Sequence, residues 1–143
     1  MYQILITALA AGIIAQLSKS FFKSAKTRLD WRFFSSYSGM PSSHAAFVSS
    51  LATIVGLTEK FSSPVFAVCL VFGILVIRDA LGARRYLGQH GEIINAMVND
   101  LKKDKMLDET YPRLLENIGH TPAQIIAGTA LGIIISLASY LIF

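Results

Sequence analysis

Two apolar runs without a single charge frame the chain, Met1 to Ser18 and Pro122 to Phe143, each close to the roughly 20 residues a helix needs to cross a bilayer. A chain built on such runs is expected to fold as helices in a membrane. Hydrophobic residues make up 53% of the 143 and charged residues 15%, a balance that would leave a soluble domain of this size short of polar surface. The length suits one domain, residues 1–143, so any site has to be built into the helices themselves. The first run opens Met-Tyr-Gln-Ile, without the basic start of a cleaved signal peptide, and reads as a retained helix closed by Lys19. The last reads as a helix with Thr121 as N-cap and Pro122 in its first position.

Two shorter apolar stretches, Ala45 to Thr58 and Pro64 to Ile77, lie on either side of the polar turn Glu59-Lys60-Phe61-Ser62-Ser63 and suggest a helical hairpin. Each reaches spanning length only if its polar end, Ser42-Ser43-His44 or Arg78-Asp79, is drawn into the membrane. Whether the hairpin crosses or only dips in, those two ends emerge on one side. The spans are placed at about 1–18, 44–58, 64–83 and 122–143. Residues 84–119 are mixed polar. Ile93, Ile94, Met97, Val98 and Leu101 recur at helical spacing, as do Leu107, Tyr111, Leu114, Leu115 and Ile118. The expected fold is therefore all-α: a polytopic membrane bundle of about four transmembrane helices plus one or two amphipathic helices in the 84–119 loop.

Five Lys and Arg residues fall between Lys19 and Arg32, one in the hairpin turn and seven between Arg78 and Arg113, which accounts for all 13. With four spans, the positive-inside rule makes the first and third loops cytoplasmic and puts both termini outside, giving a multi-pass cell-membrane protein. The net charge of +4 flanks hydrophobic segments, so anionic lipid is the expected neighbour and nucleic acid is not. Cys69, the only cysteine, lies in an apolar run and reads as packing.

Lys19, His44, Arg78, Asp79, Arg84, Arg85 and His120 all come to the cytoplasmic ends of helices in this topology. Gly39-Met40-Pro41-Ser42-Ser43-His44 runs straight into an apolar helix, whose free N–H groups and positive dipole end favour an anion, and Gly39 lets the backbone turn close to it. The plainer alternative is a capping turn with an interfacial histidine. Gly119-His120-Thr121-Pro122 repeats the arrangement at a second helix start. Two histidines at neighbouring helix starts suit phosphoryl chemistry, one imidazole attacking phosphorus while the other, protonated, serves the leaving oxygen. Lys19, Arg78, Arg84 and Arg85 supply charge for a phosphate, or serve orientation alone. Asp79 is costly at a span end unless paired, with Arg78 or another nearby cation. His90 has no comparable setting.

The segment Gly39 to His44 resembles the second motif of the type 2 phosphatidic acid phosphatase superfamily, Pro-Ser-Gly-His, in the Gly-Met-Pro-Ser-Ser-His form of that superfamily's divergent branch. Asp79 to Arg85, then Gly88-Gln89 and Asn95, then Gly119 to Pro122, are similar to the branch's other two blocks, in order and rough spacing. The resemblance covers nearly the whole chain and implies a metal-independent phosphatase with no cofactor, acting on a membrane lipid phosphate. It implies His120 as nucleophile forming a phosphohistidine, His44 as general acid, and Lys19 with Arg84 or Arg85 holding phosphate beside Ser42 and Ser43.

The departures are specific. Lys19 is followed by Arg28 or Arg32, neither before proline, where the superfamily has Arg-Pro. The carboxylate one turn beyond the nucleophilic histidine is here Gln124, which can fix a tautomer but cannot offset charge; Asp79 or Glu116 could supply the charge from elsewhere. The superfamily usually has six spans. Two alternatives stay open: an inactive binder or regulator that keeps the anion pocket, and a transport-associated or packing subunit. Gly128 and Gly132, at the spacing of close helix contacts, suggest a homo-oligomer or packing within one chain.

Overall fold

The computed structural model describes residues 2–22, 39–104, 111–116 and 118–143. Five helices run through them: α1 (Tyr2–Phe22), α2 (Ser43–Glu59), α3 (Pro64–Leu81), α4 (Ala83–Lys103) and α5 (Pro122–Ile142). Among the described residues there is no strand.

α2 is the inner helix, packed against α1, α3 and α5. Its register with α5 is set by small residues. Gly128 lies against the Ser42 carbonyl, Gly132 against that of Ala46, and the hydroxyls of Ser50 and Ser136 meet at 2.7 Å. The two helices therefore run parallel and side by side. α1 runs the other way, with Lys19 reaching Ser43 at one end and Ser50 bonding the Thr7 carbonyl further along. α3 is also antiparallel to α2, since Gly73 faces Val48 and Ala80 joins Ala45 and Ile125 in a buried cluster. The C-terminal ends of α1 and α3 and the N-terminal ends of α2 and α5 thus share one end of the bundle.

Side chains are sorted for lipid rather than water. Ala8, Ala11 and Ala15 line the buried stripe of α1, and the largest fully buried side chains are Ile54, Ser42, Ser50 and Ser136. Leu5, Ile6, Val68, Leu75, Ile126 and Ile134 point outward and are more than half exposed. Small residues inside and large apolar residues outside is how helices associate when lipid tails are as apolar as leucine. A water-soluble fold would not leave so large an apolar surface uncovered.

Three helical segments are long and apolar enough to cross a membrane: Tyr2–Lys19, a stretch within Pro64–Lys103, and Pro122–Ile142. α2 has 17 residues, a length of about 25 Å against a hydrocarbon core of about 30 Å. Its modest hydropathy follows from its position, because a helix shielded by three others can carry serines and threonines whose hydroxyls bond neighbouring carbonyls.

The loop differs from expectation. α4 forms as predicted, but residues 111–116 are not helical and lie along α4; residues 105–110, with Leu107, fall outside the described residues. The reason lies in Pro112 and in a clasp from α4. Pro112 has no N–H to give, and Asn95 bonds Leu114 from both sides, Nδ2 donating to its carbonyl at 2.9 Å and Oδ1 accepting its N–H at 3.0 Å. Gly88 and Gly91 let this backbone approach, since a Cβ at either would sit under 3 Å from the carbonyls of Glu116 and Leu115. The segment then turns at Gly119, whose φ of +99° suits glycine and whose Cα faces the backbone of Arg84 and Arg85. That turn returns His120 to the bundle.

Candidate active site

The shared end of the bundle gathers most of the residues singled out from the sequence. His120 is buried, and its backbone N–H donates to the Ala80 carbonyl at 3.2 Å, tying the returning loop to the end of α3. His44, in the first turn of α2, presents its ring 6.1 Å from that of His120, centroid to centroid. The separation lets both imidazoles reach one tetrahedral group between them.

Gln124 sets the orientation of His120. At the start of α5 the Thr121 hydroxyl accepts the Gln124 N–H, and Gln124 Oε1 accepts the Thr121 N–H at 3.0 Å, a reciprocal cap. That bond fixes which way the amide faces. The same oxygen lies 3.2 Å from His120 Nδ1, and since a carbonyl oxygen can only accept, Nδ1 carries the proton and Nε2 keeps its lone pair. The tautomer is the one a carboxylate at this position would select.

The starts of α2 and α5 are joined directly, the Ser42 N–H donating to the Gln124 carbonyl at 3.0 Å. Two positive helix ends therefore point at the same space. Lys19, only 2% exposed, bonds Gln16 Oε1 at 2.9 Å and Ser43 Oγ at 3.3 Å. Gly39, at φ +139°, lies against the aliphatic part of Lys19. Ser42 has a different place from the one expected of a phosphate contact: it is fully buried, with its hydroxyl capping α2 through the Ala45 N–H. Ser43 is the partly open serine.

Asp79 pairs with Arg84, not Arg78, and this holds the guanidinium from one side. Arg84 and Lys19 both lie near enough to oppose a positive charge on His120. Arg85 points outward and contributes backbone beside Gly119, while Arg78 belongs to a groove at the α3–α4 bend and His90 is exposed on α4. Glu116 is engaged by Asn95 and Arg113. Arg28 and Arg32 lie outside the described residues. Gln16 escaped the sequence reading, because a glutamine one turn before a lysine carries no distinctive signal.

Burial, with smaller contributions from the charges of Lys19, His44 and Arg84, pushes the His120 pKa below the ordinary histidine value, against the opposing hydrogen bond to Gln124. The fold thus favours neutral His120, and the unfolded chain binds the proton more readily. Stability from this group is fully present above about pH 6.5 and is lost as the pH falls through the depressed value. Thermal melting in detergent is expected to drop between pH 7.5 and pH 5 in the wild type, and His120→Gln is expected to flatten that dependence. An equal drop in both proteins would assign the effect to other groups.

Comparison with known proteins agrees with a membrane location. The chain is 36% identical over 145 residues to the membrane protein YuiD of Bacillus subtilis (strain 168), itself uncharacterized, covering 93% of this chain and 90% of that one. No solved structure matches significantly. The match to YuiD and a family model that fits residues 1–135, across the whole histidine-bearing end, show that the chain belongs to the Divergent PAP2 family.

Proposed function

We propose that the protein is a membrane-embedded phosphatase that hydrolyses a phosphomonoester or diphosphate lipid through a phosphohistidine. Its site faces the cytoplasm, and all four long apolar helices, α2 included, cross the bilayer. The observation that carries this reading is the pair of imidazoles 6.1 Å apart at the joined starts of two helices, one with its tautomer set. Nε2 of His120 attacks phosphorus, the ester P–O bond breaks, and protonated His44 gives its proton to the leaving oxygen. Water then attacks the phosphohistidine, neutral His44 takes its proton, and the P–N bond breaks to release phosphate and restore His120. Lys19 and Arg84 offset the charge on the equatorial oxygens, with the first-turn N–H groups of α2. The topology rests on the Lys and Arg bias of the loops flanking this end.

The test is phosphate release by the purified protein over a panel of lipid phosphates, without added metal. Release from at least one supports the reading, and none from any overturns it. Binding of vanadate, which mimics the transferred group, should weaken roughly 10- to 100-fold in Lys19→Met and about tenfold in Arg84→Ala, the range for losing a charged hydrogen-bond partner. Unchanged affinity in both would reduce these cations to topology signals.

Gln124 favours a second reading, an inactive or regulatory protein that binds lipid phosphate, because an amide stabilises an imidazolium less than a carboxylate does. Gln124→Glu separates the two. In a hydrolase the wild type turns over and the carboxylate, by favouring charged His120, moves the acid limb of the rate profile to higher pH. In a binder the wild type releases nothing and Gln124→Glu gains turnover.

A further inference from the structure

Among the described residues, two surface grooves of similar size flank the shared end of the bundle, and one of the two opens on an imidazole. The groove at the α3–α4 bend, about 420 Å³, is lined by Ile77, Leu81 and Tyr86 and carries Arg78. The other, about 410 Å³, lies between α1 and α2, with Leu9, Ile13, Leu17 and Phe47 as walls and Gly12 among them; its polar lining is Gln16, Ser43 and His44. Leu9 and Gln16 stand seven positions apart on α1, so the groove runs about 10 Å along the helix. Leu9, Ile13 and Leu17 are among the exposed apolar residues of α1, which leaves the groove open to the hydrocarbon along its side.

We propose that this α1–α2 groove seats one hydrocarbon chain of the lipid phosphate, a proposal that rests on the hydrolase reading for the role of His44. The charge pattern selects the occupant: an apolar furrow of this length ending at His44 and at the Ser43 hydroxyl bonded by Lys19 fits a molecule with an anionic head and a saturated or prenyl tail. Lipid tails already surround the helices, so the groove gains little from the hydrophobic effect. What it supplies is register, holding the first part of the chain so that phosphorus stays at the depth of the two imidazoles. Gly12 sets the width. A Cβ there would make ordinary contact with Phe47 at 3.5 Å, so alanine fits, while a leucine side chain extends into the channel.

Binding of hexadecyl phosphonate and butyl phosphonate, whose P–C bonds resist hydrolysis, tests this in detergent-purified protein. Gly12→Leu is expected to weaken hexadecyl phosphonate at least about tenfold and leave butyl phosphonate unchanged, a size discrimination typical of apolar pockets. Ile13→Trp, altering a side chain already 57% exposed, should do the same should Gly12→Leu fail to fold. Ile74→Trp, in the other groove, should change neither. Unaltered hexadecyl phosphonate binding in the groove variants, or equal losses for both ligands, would overturn the proposal. Selective loss together with no phosphate release by the wild type from any lipid phosphate of the panel, hexadecyl phosphate included, would overturn the hydrolase reading alone.

Discussion

His120→Ala is expected to reduce phosphate release from a lipid phosphate by at least about 10³-fold while the protein stays folded, since removing a nucleophile eliminates the covalent route outright. The fold is protected because the contact tying this loop to α3 runs from the His120 backbone to Ala80 and survives the substitution. His44→Ala provides the internal comparison. A general acid contributes about 10²- to 10⁴-fold, and only where the leaving group needs a proton. In the first turnover, read as release of the leaving alcohol, His44→Ala should therefore be slow on an alkyl phosphate and much less impaired on an aryl phosphate, whose leaving oxygen departs without help; later turnovers slow on both, because His44 also takes the proton of the hydrolytic water. His120→Ala should be slow on both. Equal sensitivity to the leaving group in the two variants would remove the division of labour, and full activity in His120→Ala would remove the nucleophile.

The gathering of His44 and His120 at one end was legible because helix direction follows from counting apolar runs, and Ser42-Ser43-His44 and His120-Thr121 each stand just before one. Less legible was the course between Arg84 and His120. The apolar spacing of Tyr111, Leu114, Leu115 and Ile118 suggested a second amphipathic helix, yet Asn95 supplies the hydrogen bonds that a helix would have given Leu114. A long-range side-chain clasp leaves no trace in local periodicity. Which of Arg84 and Arg85 turns toward Asp79 and which outward was likewise hidden, since the chain bends at Gly82 and the phase of α4 depends on that one residue's backbone angles, φ −100° and ψ −96°. Ser42 illustrates a different limit: the sequence offered two serines for phosphate, and burial makes one of them a cap.

Gly128→Ala is expected to destabilise the protein by about 2–3 kcal/mol and to lower activity with it, the opposite of what helix propensity alone would predict. Propensity favours alanine by about 1 kcal/mol in a helix interior. Opposing this, a Cβ at Gly128 would stand 2.3 Å from the Ser42 carbonyl oxygen, which belongs to backbone at a helix start already bonded to Gln124 and has no rotamer by which to move aside. α5 must then slide away from α2, and the junction that faces His44 toward His120 opens. Gly12→Ala is the matched control, because its Cβ meets only Phe47 at 3.5 Å and propensity should make it neutral or slightly stabilising. Melting temperatures of the two variants in one detergent decide the matter. A fall for Gly128→Ala without a fall for Gly12→Ala places these helices in direct backbone contact at the site, and a rise in both would mean that α2 and α5 stand further apart.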